Sequence, residues 1–163
     1  MKLLIVTACF LAAALVQSIC ADAFMIRRVS PDFLLIAVVF CSLRAGWQRG
    51  LLFGLIAGFI CDVLSLGRMG LFAVSMGTCG LLLGFLTFRV YFENPLTQSL
   101  IALLVTLLNA AVYFSAADLF YQESLWYLFL NHVVPQSIYN FTVGVILFTF
   151  MHTYERKRLI SLA

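Results

Sequence analysis

Charge is scarce in this chain, because only 10% of its 163 residues are Asp, Glu, Lys or Arg, whereas 64% are hydrophobic. The mean hydropathy is +1.07. This composition is typical of a protein that crosses a membrane several times rather than of a soluble domain. Little length remains outside apolar segments for a soluble catalytic or nucleic-acid-binding domain. We therefore expect a single transmembrane domain over residues 1–163 and no binding of nucleic acid.

Residues suited to catalysis or metal binding are also few. His132 and His152 are predicted on opposite sides of the membrane, and neither has a His or Cys partner at ligand spacing. The five cysteines are widely spaced and form neither a metal motif nor a disulfide framework. Phosphate-binding and His-Glu-x-x-His motifs are absent, and Asp62 with Asp118 is the one catalytic arrangement left. We expect no enzymatic activity, metal or cofactor.

Apolar segments of about the length needed to cross a bilayer, roughly 20 residues, recur along the chain. They predict an all-α fold, a compact bundle of about six transmembrane helices, of which the second is the shortest. The segments are 3–21, 31–44, 48–66, 70–88, 96–119 and 135–153. Small residues in the third and fourth segments predict that these two helices pack as a close antiparallel hairpin.

Basic residues are distributed unequally between the two sides of this six-span arrangement. Three lie on one side, namely Arg27, Arg28 and Arg68. Seven lie on the other, namely Lys2, Arg44, Arg49, Arg89, Arg156, Lys157 and Arg158. Because cytoplasmic loops carry the excess of Lys and Arg, both termini are predicted to be cytoplasmic.

The first segment also has features of a cleaved secretory signal. Lys2 precedes its apolar run, and Ala21-Asp22-Ala23 resembles a processing site. However, the run of about 18 residues exceeds the usual signal core of about 7–15 residues. We expect an uncleaved first helix, and cleavage would leave five spans.

Glycines recur every four residues at Gly46, Gly50, Gly54 and Gly58, and the same spacing leads to Asp62 in the third segment. A helix places these residues on one slowly winding face, where another helix can approach closely. A carboxylate on that face would be costly in contact with lipid, so the face is expected to meet protein, water or a ligand. Two interpretations stay open: small-residue packing within the chain, or a surface that binds a partner or ligand.

Several motifs in order resemble one membrane protein family over essentially the whole chain. Pro31-Asp32-Phe33 opens the second segment, the glycine ladder leads to Asp62 and Ser65, and a Gly67/Gly70 turn follows. The sixth segment begins with Pro135-x-x-x-Tyr139-Asn140. Together these motifs resemble the rod-shape-determining membrane protein MreD.

The resemblance implies a non-enzymatic subunit of the bacterial cell-elongation machinery in the inner membrane, which helps to direct sidewall peptidoglycan synthesis. Its implied partners are an MreC-like bitopic protein and, in the wider complex, an MreB-like filament, RodA and the elongation transpeptidase. The implied fold is similar to the substrate-binding subunits of energy-coupling-factor transporters. The candidate partner- or ligand-binding residues are Pro31, Asp32, Gly50, Gly54, Gly58, Asp62, Tyr139 and Asn140.

Two functions remain in competition. In the first, the protein is a scaffold whose small-residue grooves receive a partner's transmembrane helix, with membrane lipid as a further partner. In the second, it is a transporter subunit that binds a vitamin-like small molecule in a cavity built from Asp62, Asn109, Tyr113 and Asn140. A ligand pocket needs several polar groups that converge at one level. The polar residues of this chain are sparse, which favours the scaffold.

Overall fold

The computed structural model of the protein describes residues 13, 15–17, 29–65, 69–87, 94–117 and 129–160. Every regular element in these ranges is helical, which confirms the all-α prediction. The helices are α1 (Phe33–Ala45), α2 (Trp47–Ser65), α3 (Leu71–Thr87), α4 (Pro95–Ala117) and α5 (Val134–Ile160), and a π-helical turn (Phe129–Val133) leads directly into α5. Most of the predicted first segment, and therefore its cleavage, lies outside the described residues.

The predicted segments and the observed helices agree closely in position. The bounds of α1 to α4 lie within two residues of the prediction, and α5 begins one residue early. At the other end of α5 the predicted apolar segment and the candidate membrane span both end at residue 153, and the helix itself continues to Ile160. Hydropathy marks where the apolar surface ends, whereas Glu, Arg and Lys are good helix formers and let the helix continue beyond it.

Within the part of the chain that the structure describes, three helices are long and apolar enough to cross a membrane: α2, α4 as far as Ser115, and α5 together with its π-helical turn as far as Thr153. The helices α1 and α3 are apolar but shorter. With 13 residues α1 is about 20 Å long, less than the hydrocarbon thickness of about 30 Å. Of the five described helices, α1 and α3 are therefore shorter than the length for a full span.

The short helix α1 lies at the centre of the bundle. It contacts each of the other four helices, and most of its side chains are buried. Its residues Leu34, Leu35, Val38 and Val39 form the middle of the hydrophobic core. Because α1 is surrounded by protein, it needs no lipid-facing surface and its length is not set by the bilayer.

The other helices pack around α1 in antiparallel pairs. Trp47 at the start of α2 stacks on Phe85 near the end of α3, with ring centroids 5.4 Å apart, so the predicted hairpin is confirmed. The helices α4 and α5 form the second pair. One end of the bundle carries Arg44 and Arg49 and is called the arginine end below. The opposite end carries Asp32 and Asp62 and is called the aspartate end.

Candidate functional site

Asp62, in the last turn of α2, is buried and caps the start of α3. Its Oδ2 accepts hydrogen bonds from the backbone N–H groups of Gly70 (2.9 Å) and Ala73 (3.1 Å), and its Oδ1 accepts one from Phe72 N–H (3.1 Å). N–H groups at a helix start have no acceptor within the helix. Gly70 stands just before α3 and has no side chain to cap it, so Asp62 supplies the carboxylate from the preceding helix. Its negative charge also meets the positive end of the α3 dipole.

These contacts give Asp62 a role within the chain. The residue is 1% exposed, and both of its carboxylate oxygens accept backbone hydrogen bonds. Hydrogen bonds from the start of α3 therefore stabilise the Asp62 carboxylate, which follows the glycines on α2. A role of Asp62 in binding a partner or ligand stays a prediction.

Asp32 caps its own helix, α1. Its Oδ1 accepts a hydrogen bond from Leu35 N–H (3.0 Å). The side chain of Gln17 hydrogen-bonds Asp32, and Gln17 Oε1 accepts from Leu34 N–H (3.1 Å). Pro31 is fully buried beside them and has no N–H that would need an acceptor. Gln17, which belongs to the first apolar segment, thus accepts a hydrogen bond from the first turn of α1.

Asn140, in the second turn of α5, connects three helices. Its Oδ1 accepts a hydrogen bond from Asp32 N–H (2.8 Å), and its Nδ2 donates to Thr106 Oγ1 (2.9 Å). The Thr106 hydroxyl in turn donates to the carbonyl oxygen of Ala102, one turn earlier in α4 (2.8 Å). The preceding residue, Tyr139, is half-buried. Asn140 therefore holds the start of α1 against α4 and α5 from a fully buried position.

Gly46, predicted on the same helical face, instead lies between α1 and α2 with a φ of 82°. The other three glycines, Gly50, Gly54 and Gly58, form the ladder and are buried where α2 meets α3. A Cβ built on Gly50, Gly54 or Gly58 would overlap a backbone carbonyl oxygen of α3. These oxygens belong to Gly80, Met76 and Phe72, respectively, so the four-residue spacing of α2 matches the same spacing in α3. The close approach also brings glycine Cα–H groups against carbonyl oxygens, a weak but favourable contact. Packing within the chain thus accounts for the ladder, and partner binding through these residues stays a prediction.

Two buried side-chain oxygens have no hydrogen-bond partner in the part of the chain that the structure describes: Ser42 Oγ and Asn109 Oδ1. Ser42 lies between the backbones of Gly50 and Gly80, where little space is available. Asn109 is 8% exposed and lies one turn before Tyr113 in α4. Tyr113 packs against Phe72 of α3, with ring centroids 4.6 Å apart. A buried acceptor without a donor is costly in an apolar interior. Asn109 Oδ1 is therefore the atom best placed to accept a hydrogen bond from a bound molecule.

The structure brings together some of the predicted site residues and separates others. Pro31, Asp32 and Asn140 meet at the start of α1, whereas Asp62 binds the start of α3. Asp118 and Arg68 lie outside the described residues. His132, in the π-helical turn, and His152, near the end of α5, are separated by about 30 Å of helix.

Two side chains that hydrogen-bond around Asp32 and Asn140 were not among the predicted site residues. Gln17 and Thr106 are single polar side chains within apolar segments, a pattern that indicates contact with protein rather than lipid. Neither position indicates by itself which backbone or side-chain group is the partner. Among the described residues, no group of three His, Cys, Asp or Glu side chains could hold a metal ion.

These features define a membrane protein of apolar helices in which buried polar side chains cap helix starts and join neighbouring helices. The family comparison is consistent with this class, and it matches residues 1–158 to the rod shape-determining protein MreD. The chain belongs to the MreD family. No curated protein and no solved structure matches it. Membership implies a role in rod shape determination, and the family consists of shape-determining structural proteins.

Proposed function

We propose that this protein is a non-enzymatic scaffold subunit of the bacterial cell-elongation complex. It binds an MreC-like bitopic membrane protein and works, within the wider complex, with an MreB-like filament, RodA and the elongation transpeptidase. It lies in the inner membrane with both termini in the cytoplasm. The match of residues 1–158 to a rod shape-determining family supports the role in cell shape.

The observation that favours a scaffold over a transporter is the use made of the buried polar groups. Asp62 and Asn140, which a ligand cavity would need, form hydrogen bonds that hold helices together. A small molecule could bind them only by replacing those contacts. A scaffold needs a rigid bundle that presents a fixed outer surface, and such internal hydrogen bonds provide it.

The candidate residues contribute to this function chiefly by setting the shape of the bundle. Gly50, Gly54 and Gly58 fix the distance between α2 and α3, and Asn140 fixes the position of α1. Partner helices then contact the outer faces, where large apolar side chains are exposed. Examples are Leu52, Ile56 and Phe59 in α2, Leu100 and Leu104 in α4, and Ile146 and Phe150 in α5.

One observation supports the alternative, a substrate-binding subunit of an energy-coupling-factor type transporter. Asn109 Oδ1 is buried without a donor, and Tyr113 lies one turn away on the same helix. A bound small molecule with an N–H or O–H group would satisfy Asn109. Asn109 Oδ1 is a single buried acceptor that lacks a donor, whereas a ligand pocket needs several polar groups that converge at one level.

Purification from native membranes distinguishes the two functions. The protein is extracted with mild detergent, and mass spectrometry identifies every protein and small molecule that it retains. The scaffold predicts recovery of a single-pass membrane protein and unchanged recovery for Asn109→Leu. Retention of a vitamin-like molecule that is lost in Asn109→Leu would instead establish the transporter function. Complementation of a deletion strain, scored by cell shape, shows whether each variant is functional.

A further inference from the structure

The side-chain amide of Asn140 carries more hydrogen-bond donors than its contacts use. Its Oδ1 accepts from Asp32 N–H (2.8 Å), and one of its two N–H groups donates to Thr106 Oγ1 (2.9 Å). These are the hydrogen bonds of this amide in the part of the chain that the structure describes. Asn140 is 0% exposed. Its second N–H group is therefore a buried donor, and such groups are rarely left without an acceptor.

The direction of this second N–H group is fixed by the two bonds that Asn140 makes. Asp32 N–H is a donor, so the amide atom that faces it is the oxygen, and the amide nitrogen faces away from Asp32. The bond to Thr106 then holds the plane of the amide. Thr106 is itself held, because its hydroxyl donates to the carbonyl oxygen of Ala102 (2.8 Å). Rotation of Asn140 toward another acceptor would break a buried hydrogen bond, which is costly in an apolar interior.

Asn109 has the complementary atom, an acceptor without a donor. Its Oδ1 is buried and has no hydrogen-bond partner in the described ranges, so it does not bond directly to Asn140. Asn109 follows Thr106 by three residues on α4, a spacing that places the two side chains on one face with Cβ atoms about 5–6 Å apart. Side chains of a helix lean toward its N-terminus, so Asn109 extends over the turn that carries Thr106. The unused acceptor thus lies near Thr106, to which Asn140 is bonded.

We infer that one buried water molecule is bound between Asn109 of α4 and Asn140 of α5. The water accepts a hydrogen bond from the second N–H group of Asn140 and donates one to Asn109 Oδ1, so both unused atoms gain a partner. Its other proton goes to a backbone carbonyl oxygen, which keeps a second lone pair beside its helical hydrogen bond. Buried waters make about 2–4 such bonds to polar groups that the protein itself leaves unsatisfied. This site does not depend on the scaffold function proposed above.

A water molecule suits this position better than a larger ligand does. One unused donor and one unused acceptor are the pair that a single water satisfies at once, whereas a ligand pocket needs several polar groups at one level. Ser42 Oγ, the other buried oxygen without a partner in the described chain, provides a matched comparison. It lies 3.1 Å from the position of a Cβ on Gly50 and 3.5 Å from one on Gly80, so backbone packing excludes water there.

Nuclear magnetic resonance of the full-length protein in detergent tests the site. The chain contains four asparagines, Asn94, Asn109, Asn131 and Asn140, and isotope labelling of this residue type gives one side-chain amide signal for each. Single substitutions of the other three assign the remaining signal to Asn140. Transfer of magnetisation from water protons to an amide then reports a water molecule held beside it. Circular dichroism confirms that each variant is folded.

We expect transfer from water to the Asn140 amide in the wild type, although this residue is fully buried. Asn109→Leu should abolish the transfer, and it should remain folded because the leucine fills the same position with apolar volume. Ser42→Ala should retain the transfer. The site would be overturned by absence of the transfer in the wild type, or by equal transfer in Asn109→Leu, which would assign it to proton exchange at the Thr106 hydroxyl. Equal loss in both variants would also overturn it.

An experimental density map at a resolution that shows ordered waters provides a second measurement. We expect a single-atom peak about 2.8–3.0 Å from both Asn140 Nδ2 and Asn109 Oδ1, and no peak at this position in Asn109→Leu. Density that extends beyond one atom would overturn the water in favour of a larger bound molecule. Direct contact between the two asparagine side chains would overturn it as well.

Discussion

At the scale of single residues, two aspartates show how this bundle holds a carboxylate in an apolar interior. Asp32 and Asp62 both accept hydrogen bonds from N–H groups at a helix start. Such a position supplies backbone donors and a favourable dipole, so the charge needs no basic partner. The two differ in which helix they serve. Asp32 caps the helix that follows it directly, whereas Asp62 caps a helix that begins nine residues later.

Substitution of Asp62 tests this role. Asp62→Ala leaves three N–H groups without their acceptor, and we expect it to lower the free energy of unfolding by about 3 kcal/mol. Asp62→Asn keeps one oxygen and should cost less. The measurement is thermal unfolding in detergent, followed by circular dichroism. The control is Ser65→Ala at the same helix end, since Ser65 is exposed and donates a longer hydrogen bond of 3.3 Å.

The same variants separate a structural role from an anchor for a partner. If Asp62 only caps α3, cell shape in a complemented deletion strain should follow stability, with Asp62→Asn better than Asp62→Ala. Loss of rod shape and of partner recovery at unchanged stability would instead identify Asp62 as an anchor. Unchanged stability together with normal rod shape would contradict both roles.

The same substitution, Asn to Leu, is expected to have opposite effects on stability at the two buried asparagines, Asn140 and Asn109. Asn140→Leu removes the partners of Asp32 N–H and Thr106, so it should destabilise the protein by about 1–3 kcal/mol. Asn109→Leu removes an acceptor that has no donor and should leave stability unchanged or raise it. Both replacements have similar volume. Detergent unfolding of the pair measures the difference, and a larger loss for Asn109→Leu would show that its oxygen has a partner.

At the scale of helices, the hairpin of α2 and α3 depends on glycine at matched positions. The ladder glycines face backbone carbonyl oxygens, which cannot move aside as a flexible side chain can. By contrast, a Cβ on Gly77 would meet the side chain of Leu55, and one on Gly144 would have ordinary contacts of 3.5 Å or more. The requirement for glycine is therefore strict in the ladder and relaxed at Gly77 and Gly144.

Alanine substitutions measure this difference. Gly54→Ala places a methyl group on the Met76 carbonyl and should destabilise the protein by about 1–3 kcal/mol through overpacking. Gly144→Ala is the matched control, because it adds the same group within a helix without overlap, and it should be tolerated. Both are compared with wild type by detergent unfolding and by recovery from membranes. Equal stability of the two variants would show that α2 and α3 are not in close contact.

Helix starts were the elements best predicted from local sequence. Pro31 lies two residues before α1, Pro95 is the first residue of α4 and Pro135 the second residue of α5. Proline is compatible with these positions because the first N–H groups of a helix have no acceptor in it. The start of α3 could not be explained in this way, since its capping carboxylate belongs to α2.

At the scale of the whole molecule, the charged residues of the described spans are separated along the bundle axis. Arg44 and Arg49 lie at one end, whereas Asp32 and Asp62 lie at the other. The extension of α5 adds a Glu and three basic residues beyond the arginine end. The orientation in which the arginine end faces the cytoplasm stays a prediction from the basic residues.

Fusions to reporter proteins test the orientation. Because α5 ends at the arginine end, a reporter attached after Ala163 should be active if it functions in the cytoplasm and inactive if it requires the periplasm. A second fusion, within residues 118–128 between α4 and α5, should show the reverse pattern. Periplasmic activity of the C-terminal fusion would contradict the predicted topology.

The sequence by itself determined the class of protein, the positions of the five described helices and the close packing of α2 on α3. Hydropathy, proline and glycine spacing are local properties, and they act within a single helix or between neighbours in the chain. Tertiary structure decided the partners of the polar groups. Asn140 meets Asp32 across 108 positions, and Asp62 meets the start of α3. Those pairings depend on how the helices are arranged around α1, which no local pattern specifies.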